Sequence, residues 1–215
     1  METAFEKMDA MYRYQRYFYN ATRKYYLLGR DKLISRMSIR SGENILEVGC
    51  GTGRNLIIMA KNHPEANFFG LDASGAMLET AQNSIDAKNL KNITLRTALA
   101  EDFDFRETFG LAKPFDTIFF SYSITMIPAW KESIAVALQN LSPGRSFYIV
   151  DFYDQAGLPD WFRALLKNWL KAFHVQFWSG LLPYLRELEL SGSGELQITP
   201  IARRYAFLAR FEKAS

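Results

Sequence analysis

The stretch Glu47-Val48-Gly49-Cys50-Gly51-Thr52-Gly53-Arg54 runs straight on from a short apolar segment, ENILEV at 43–48. Three glycines at alternate positions let the backbone bend sharply and approach a ligand with no side chain in between. A strand that empties into such a bend restricts the fold more than any other feature of the chain. In open α/β sheets, ligands sit beyond the carboxyl ends of strands where the winding reverses, normally after the first strand. The neighbouring sequence agrees. Residues 55–61 have a helix pattern, ANFFGLD (66–72) a strand pattern, 74–88 a helix, NITLRTA (92–98) a strand, FDTIFFSYS (115–123) a strand and 130–141 a helix. LSPG (141–144) is turn chemistry leading into a further strand, SFYIVDF. Strands alternating with helices of about ten residues imply parallel crossover units, with helices on both faces of one sheet.

The two ends depart from this rhythm. Residues 9–39 contain no proline and a single glycine, Gly29, which predicts one long or broken helix. At the other end come a helix over 159–173, a second helical stretch to about Leu190, the short SGSG (191–194), and two segments, ELQITPI and RRYAFLARFE. As strands joined by a short turn, these two predict an antiparallel pair at the sheet edge. A length of 215 residues with 48% hydrophobic side chains suits one α/β domain. We divide it into a helical cap (1–40), a ligand-binding core (41–155) and closing helices and strands (156–215). The single cysteine, Cys50, excludes an intramolecular disulfide and a multi-cysteine zinc site, and His63 and His174 lie far apart in sequence. No metal is expected. Inside the bend, Cys50 reads as a small spacer, because no histidine lies near it in sequence to activate it.

The glycine pattern is selective. A dinucleotide fingerprint needs a glycine where the chain has Arg54, and a phosphate-binding P-loop needs Gly-Lys-Ser/Thr. What remains is E-x-G-x-G-x-G, whose acid can accept a hydrogen bond from a cationic amine lying over the bend. This resembles the first motif of the class I S-adenosylmethionine-dependent methyltransferases, over about Asn44 to Phe152. The resemblance implies a Rossmann-like doubly wound sheet and S-adenosylmethionine as cofactor. It places Gly49, Cys50, Gly51 and Gly53 under the cofactor, Glu47 near its amino-acid end and Asp72 on the ribose hydroxyls. It puts Ala73, Ser74 and Met77 beside the ribose and adenine, and Ala100, Glu101 and Asp102 near the adenine amine. Many relatives have Asp where this chain has Leu99, so either Glu101 or Asp102 is left to read adenine. SPGR (142–145), before the fifth strand, fits the same family pattern. Ser121 and Tyr122 end the fourth strand, where a transferred group would lie, so both are candidates for the pocket, and Ser121 also for cofactor contact.

The bend says nothing about the methyl acceptor. Residues 12–40 hold Arg13, Arg16, Arg23, Lys24, Arg30, Lys32, Arg36 and Arg40 against one acid, Asp31, so the formal charge of +3 is locally concentrated. In a helix, Tyr12, Arg16, Tyr19, Arg23 and Tyr26 share one face. Tyrosine rings attract alkylammonium groups and arginine forks bind carboxylate or phosphate, so this face suits an acceptor bearing both an amine and an anion. The bland alternative is a cap helix with packed tyrosines and solvated arginines.

YRYQRYFYNATRKYYLLGRD, GCGTGRNL, SYSITMIP and WLKAFHV closely resemble the BtaB-type betaine-lipid methyltransferases, apart from Gly192 to Pro200. The resemblance implies successive methylation of the amine of diacylglyceryl homoserine to diacylglyceryl trimethylhomoserine. On that reading Tyr12, Arg16, Tyr19, Arg23, Tyr26 and Arg30 bind the acceptor, with an arginine on its carboxylate or on that of the cofactor. Water, His174, Tyr19 or Asp151 takes the protons that are shed. The expected setting is an anionic membrane surface, at the inner face of the cytoplasmic membrane, with the enzyme that makes the lipid as a partner and no nucleic acid. Helix LPDWFRALLKNWLKAF (158–173) carries apolar residues with Arg163, Lys167 and Lys171 at helical spacing, a pattern for core packing with a membrane-facing rim. The chain has no stretch long and apolar enough to span a bilayer, and METAFEKMDA is not a secretory signal. Alternatives are another acceptor (phosphatidylethanolamine, a quinone or a soluble small molecule) or a non-catalytic cofactor- or nucleic-acid-binding module.

Overall fold

The computed structural model describes residues 27–171 and 178–215. The stretch carrying Tyr12, Arg16, Tyr19, Arg23 and Tyr26 lies outside the described residues, as does His174. The described elements run α1 (Arg30–Arg36), β1 (Asn44–Val48), α2 (Arg54–Asn62), β2 (Asn67–Asp72), α3 (Gly75–Asp86), β3 (Ile93–Thr97), β4 (Phe115–Ser121), α4 (Trp130–Gln139), β5 (Leu141–Phe152), α5 (Asp160–Lys171), α6 (Leu181–Leu190), β6 (Gly194–Ile201) and β7 (Ala206–Lys213). A 3-10 turn covers Ile124–Met126.

The strands form one seven-stranded sheet in the order β3-β2-β1-β4-β5-β7-β6. β1 is parallel to both β2 and β4, and β4 is parallel to β5. β7 is antiparallel to β5 and to β6. This is the predicted Rossmann-like doubly wound sheet with its antiparallel edge pair. All five residues of β1 are buried, as a central strand covered on both faces requires. Alternate residues feed two cores. Leu46, Val48, Phe69, Leu71, Phe120 and Ile149 pack with Ile134 of α4 and Leu185 of α6. Ile45, Phe68, Phe119, Tyr148 and Val150 pack with Leu33 of α1, Leu56 and Met59 of α2 and Leu78 of α3. Because the connections turn one way from β1 through β3 and the other way from β4, β1 and β4 flank the switch point that leaves a crevice at their carboxyl ends.

Two expectations are corrected. The helix predicted to Ile39 ends at Arg36, and Met37 is extended and buried, so core packing wins over helix propensity there. The LSPG turn is not a separate loop. Leu141 pairs with Phe115 and Ser146 with Thr117, so Ser142 to Arg145 form a bulge within β5, with Gly144 at φ 69°.

Candidate active site

The glycine bend leaves β1 at the switch point. Gly49 and Cys50 donate their N–H groups to the Leu71 carbonyl at 2.7 and 3.0 Å, which lays the bend across the end of β2. Gly49 has φ 73°, and a Cβ there would sit 2.4 Å from Ser123 Cβ. Ser123, just past β4, closes that contact by donating from Oγ to the Val48 carbonyl at 2.7 Å. Gly53 caps α2 in the left-handed region, with Ala81 packed 3.2 Å from where its Cβ would be. Glycine is therefore required at both positions by backbone conformation and by close approach together.

Two carboxylates border the bend. Asp72, at the end of β2, accepts the Gly51 N–H at 2.7 Å and the Ser74 N–H at 2.9 Å. Glu47, nearly fully buried, accepts from Asn55 Nδ2 at 2.7 Å. Burial pushes the Cys50 thiol well up, and the nearby Asp72 and Glu47 charges push it further, so it is a neutral spacer. Ser74 caps α3 by accepting the Met77 N–H, and Met77 is buried while Ala73 is half-buried. After β3, the Ala98 N–H reaches the Asp72 carbonyl. Ala100 is buried, Glu101 half-buried and Asp102 exposed.

The ends of β4 and β5 form the other wall. Ser121 Oγ is buried with no hydrogen-bond partner among the described residues. Tyr122 has φ 55°, packs edge-on against Phe152 with ring centroids 4.9 Å apart, and donates its hydroxyl to the Leu28 carbonyl at 2.5 Å. Burial, and secondarily the Asp151 and Tyr205 charges, raise its phenol well above the ordinary range, so it stays protonated. Arg30, in the first turn of α1, is buried, and its charge acts on Tyr122 in the opposite sense. Asp151 is fully buried, accepting from Thr125 N–H and Oγ1 and from the Phe152 N–H. Burial raises its carboxyl to about 7, against the lowering effect of those hydrogen bonds.

A sequence profile described as a methyltransferase domain matches residues 39–199, the whole of the region just built. The chain belongs to the class I S-adenosylmethionine-dependent methyltransferases. It is 26% identical over 139 residues to the demethylmenaquinone methyltransferase of Listeria welshimeri, covering 64% of this chain and 56% of that protein. The chain thus spans about half the length of the curated relatives it matches. Among solved structures, an O-methyltransferase family protein from Burkholderia thailandensis superposes with a TM-score of 0.73 at 16% identity, covering 99% of this chain and 64% of that one. The apo S-adenosylmethionine-dependent methyltransferase SibL gives 0.68 at 18%, covering 92% and 58%. At these identities the likeness speaks to the fold.

S-adenosylmethionine is the cofactor of this methyltransferase, and the residues fit it. A Cβ on Gly49 would collide with Ser123, two buried carboxylates stand at the ends of adjacent strands, and the buried Ser121 hydroxyl has no hydrogen-bond partner among the described residues. The structure brings Glu47, Gly49, Gly51, Gly53, Asp72 and Ser121 together at one end of the sheet. SPGR stands apart from this group. Arg145 bridges Glu43 and Asp116 at 2.8 Å each, at the opposite end of the strands, so its role is to tie β1, β4 and β5 together.

Sequence reasoning missed Asn55, Ser123, Thr125 and Gln155. Asn55 one residue after Arg54 is readable as a polar group on the buried side of a helix start; the other three depend on which loops meet. Gln155 is fully buried at φ 60°, its backbone clamped to Arg204 and Leu158 and its side-chain amide without a hydrogen-bond partner among the described residues.

Proposed function

We propose that this methyltransferase successively methylates the amine of diacylglyceryl homoserine, giving diacylglyceryl trimethylhomoserine, at the inner face of the cytoplasmic membrane. The observation that carries the reading is the tether between Tyr122 and Leu28. It fixes the segment from which the Tyr- and Arg-rich sequence departs against the cofactor end of the sheet, with buried Arg30 one residue beyond Gly29. Gly29, at φ 92°, packs so closely on Ile201 that a Cβ would lie 2.4 Å from its Cδ1. The sequence that precedes Leu27 is rich in tyrosine and arginine, the residue types that suit an ammonium with a neighbouring carboxylate.

When bound, S-adenosylmethionine supplies an electrophilic methyl on a sulfonium. The protein's task is to hold a neutral amine in line with it, which is work of positioning. Every ammonium product but the last must then lose a proton. Water, Tyr19, His174 or Asp151 takes it; Asp151 is the described one, and its raised carboxyl is suited to exchange near neutrality. Aromatic faces accommodate primary to quaternary nitrogen without needing a hydrogen bond, so one pocket serves three transfers.

The likeness to demethylmenaquinone methyltransferase supports a second reading, methylation of a quinone ring. Purified protein with methyl-labelled S-adenosylmethionine and either diacylglyceryl homoserine or demethylmenaquinone separates the two. Mono-, di- and trimethylated lipid is the expected outcome. Label only in the quinone, or in neither while the cofactor binds, would reject the lipid assignment.

A further inference from the structure

The carboxyl end of the sheet carries an exposed apolar and basic surface that the cofactor site does not use. Among the described residues, the large apolar side chains most open to solvent are Leu28, Trp161, Leu165 and Leu190, at 36%, 71%, 61% and 86% exposure. Leu190 ends α6 beside the start of β6, at the other end of the sheet. The remaining three lie at the cofactor end. Leu28 is the residue tethered by Tyr122, and α5 follows the loop that leaves β5 there.

α5 is anchored by Leu166, which is buried in the same core cluster as Tyr122, Phe152 and Tyr205. Along α5, Trp161 and Leu165 stand one helical turn apart and both are exposed. Next to the start of this helix stands the β6–β7 turn, Ala202-Arg203-Arg204. Its three residues are all left-handed (φ 46°, 53° and 66°) and exposed. The turn is pressed onto the loop before α5. A Cβ on Gly157 would lie 2.4 Å from the Arg203 carbonyl oxygen, the Gln155 N–H donates to the Arg204 carbonyl, and Arg204 pairs with Asp154. On this surface Arg163 pairs with Asp160 and Arg204 with Asp154, and Arg203 adds a further cation on the exposed turn.

An exposed indole and leucine one helical turn apart, with a cationic turn alongside, match the interfacial zone of an anionic bilayer. Apolar groups there enter the headgroup boundary while basic groups meet the lipid phosphates. We propose that α5 and the Ala202–Arg204 turn are the surface by which this methyltransferase docks on an anionic lipid bilayer, presenting the carboxyl end of its sheet to the membrane. The proposal rests on the lipid-acceptor reading for its purpose, and stands on this surface for its geometry.

Sedimentation of the full chain with phosphatidylcholine vesicles, with and without phosphatidylglycerol, tests it. Wild-type protein should sediment with the anionic vesicles and be released by salt. Trp161→Ser with Leu165→Ser should weaken partitioning by about tenfold or more, and Arg203→Gln by about threefold, with circular dichroism and cofactor binding unchanged. No partitioning of the wild type, or equal partitioning of the double variant, overturns the docking surface and leaves a protein partner as its occupant. The acceptor reading fails separately. If no protein methylates diacylglyceryl homoserine dispersed in detergent micelles while vesicle binding still depends on Trp161 and Leu165, docking stands and the acceptor is wrong.

Discussion

The two walls of the crevice solve the same backbone problem in opposite ways. On the β1 side, the left-handed residues of the bend are glycines: Gly49, Gly51 and Gly53. On the β4–β5 side they carry side chains, Tyr122 and Gln155, as do Ala202, Arg203 and Arg204 in the β6–β7 turn outside the crevice. The first wall must let backbone approach backbone and ligand, so a Cβ is intolerable, as the 2.4 Å clash predicted at Gly49 makes plain. The second wall and that turn accept the conformational cost and hold each residue by other means. Tyr122 has its hydroxyl on Leu28, Gln155 has both backbone groups bonded, and Arg204 has its ion pair to Asp154 and its guanidinium 4.6 Å from the centre of the Tyr153 ring. Left-handed side-chain-bearing residues gather at functional sites where the surroundings over-determine them. One wall is built to be close to something; the other is built to keep side chains where they are.

Substitutions can break this contrast. The largest effect is expected from Gly49→Ala. It adds both left-handed strain and an overlap with Ser123, costing about 3–5 kcal/mol of stability together with loss of S-adenosylmethionine binding. Denaturant melts and calorimetry would check it, and a variant as stable as the wild type would mean that the bend is not the rigid wall described.

Next is the pH dependence due to Asp151. Its folded-state carboxyl is raised to about 7, above its ordinary unfolded value. Between about pH 4 and that value the unfolded chain has lost this proton and the folded chain has kept it, so stability present at low pH is lost as pH rises, by up to ~4 kcal/mol. Asp151→Asn has no proton to lose and should flatten this slope when melts at pH 5 and pH 8 are compared; an identical slope in both proteins would refute the assignment.

Tyr122→Phe removes one hydrogen bond, worth about 1 kcal/mol. It should lower kcat/KM for the acceptor several-fold while leaving the cofactor Kd unchanged, since the tether holds the entry segment and not the bend. Equal losses in both would merge the two walls into one unit. The smallest effect is expected at the β6–β7 turn. Ala202→Gly relieves left-handed strain and should raise stability by about 0.5–1 kcal/mol, the opposite sign to any change at Gly49.

Much of the fold was legible because its signals are local. ENILEV and FDTIFFSYS announce central strands by short apolar-rich runs, and the LSPG segment marks a real irregularity, though as a bulge inside β5. The glycine bend and its bordering acids were legible as neighbours for the same reason: Glu47, the three glycines and Asp72 sit at the ends of consecutive elements, so chain order already brings them together. The role of Arg145 was not legible, because its ion pairs to Glu43 and Asp116 form only where the amino ends of three strands meet. Helix α1 was overextended because nothing in residues 37–39 forbids helix; Met37 leaves it to enter the core.

What the sequence determined alone was the alternation of elements, the glycine bend and the acids that border it, since each depends on the intrinsic geometry of a few consecutive residues. Only the tertiary structure decided that Ser123 makes Gly49 obligatory, that Tyr122 is tied to Leu28 94 residues away, and that Asp151 keeps its proton to near neutrality. Those are properties of close approach and exclusion of water. They arise when distant segments are pressed together, and no spacing along the chain encodes them.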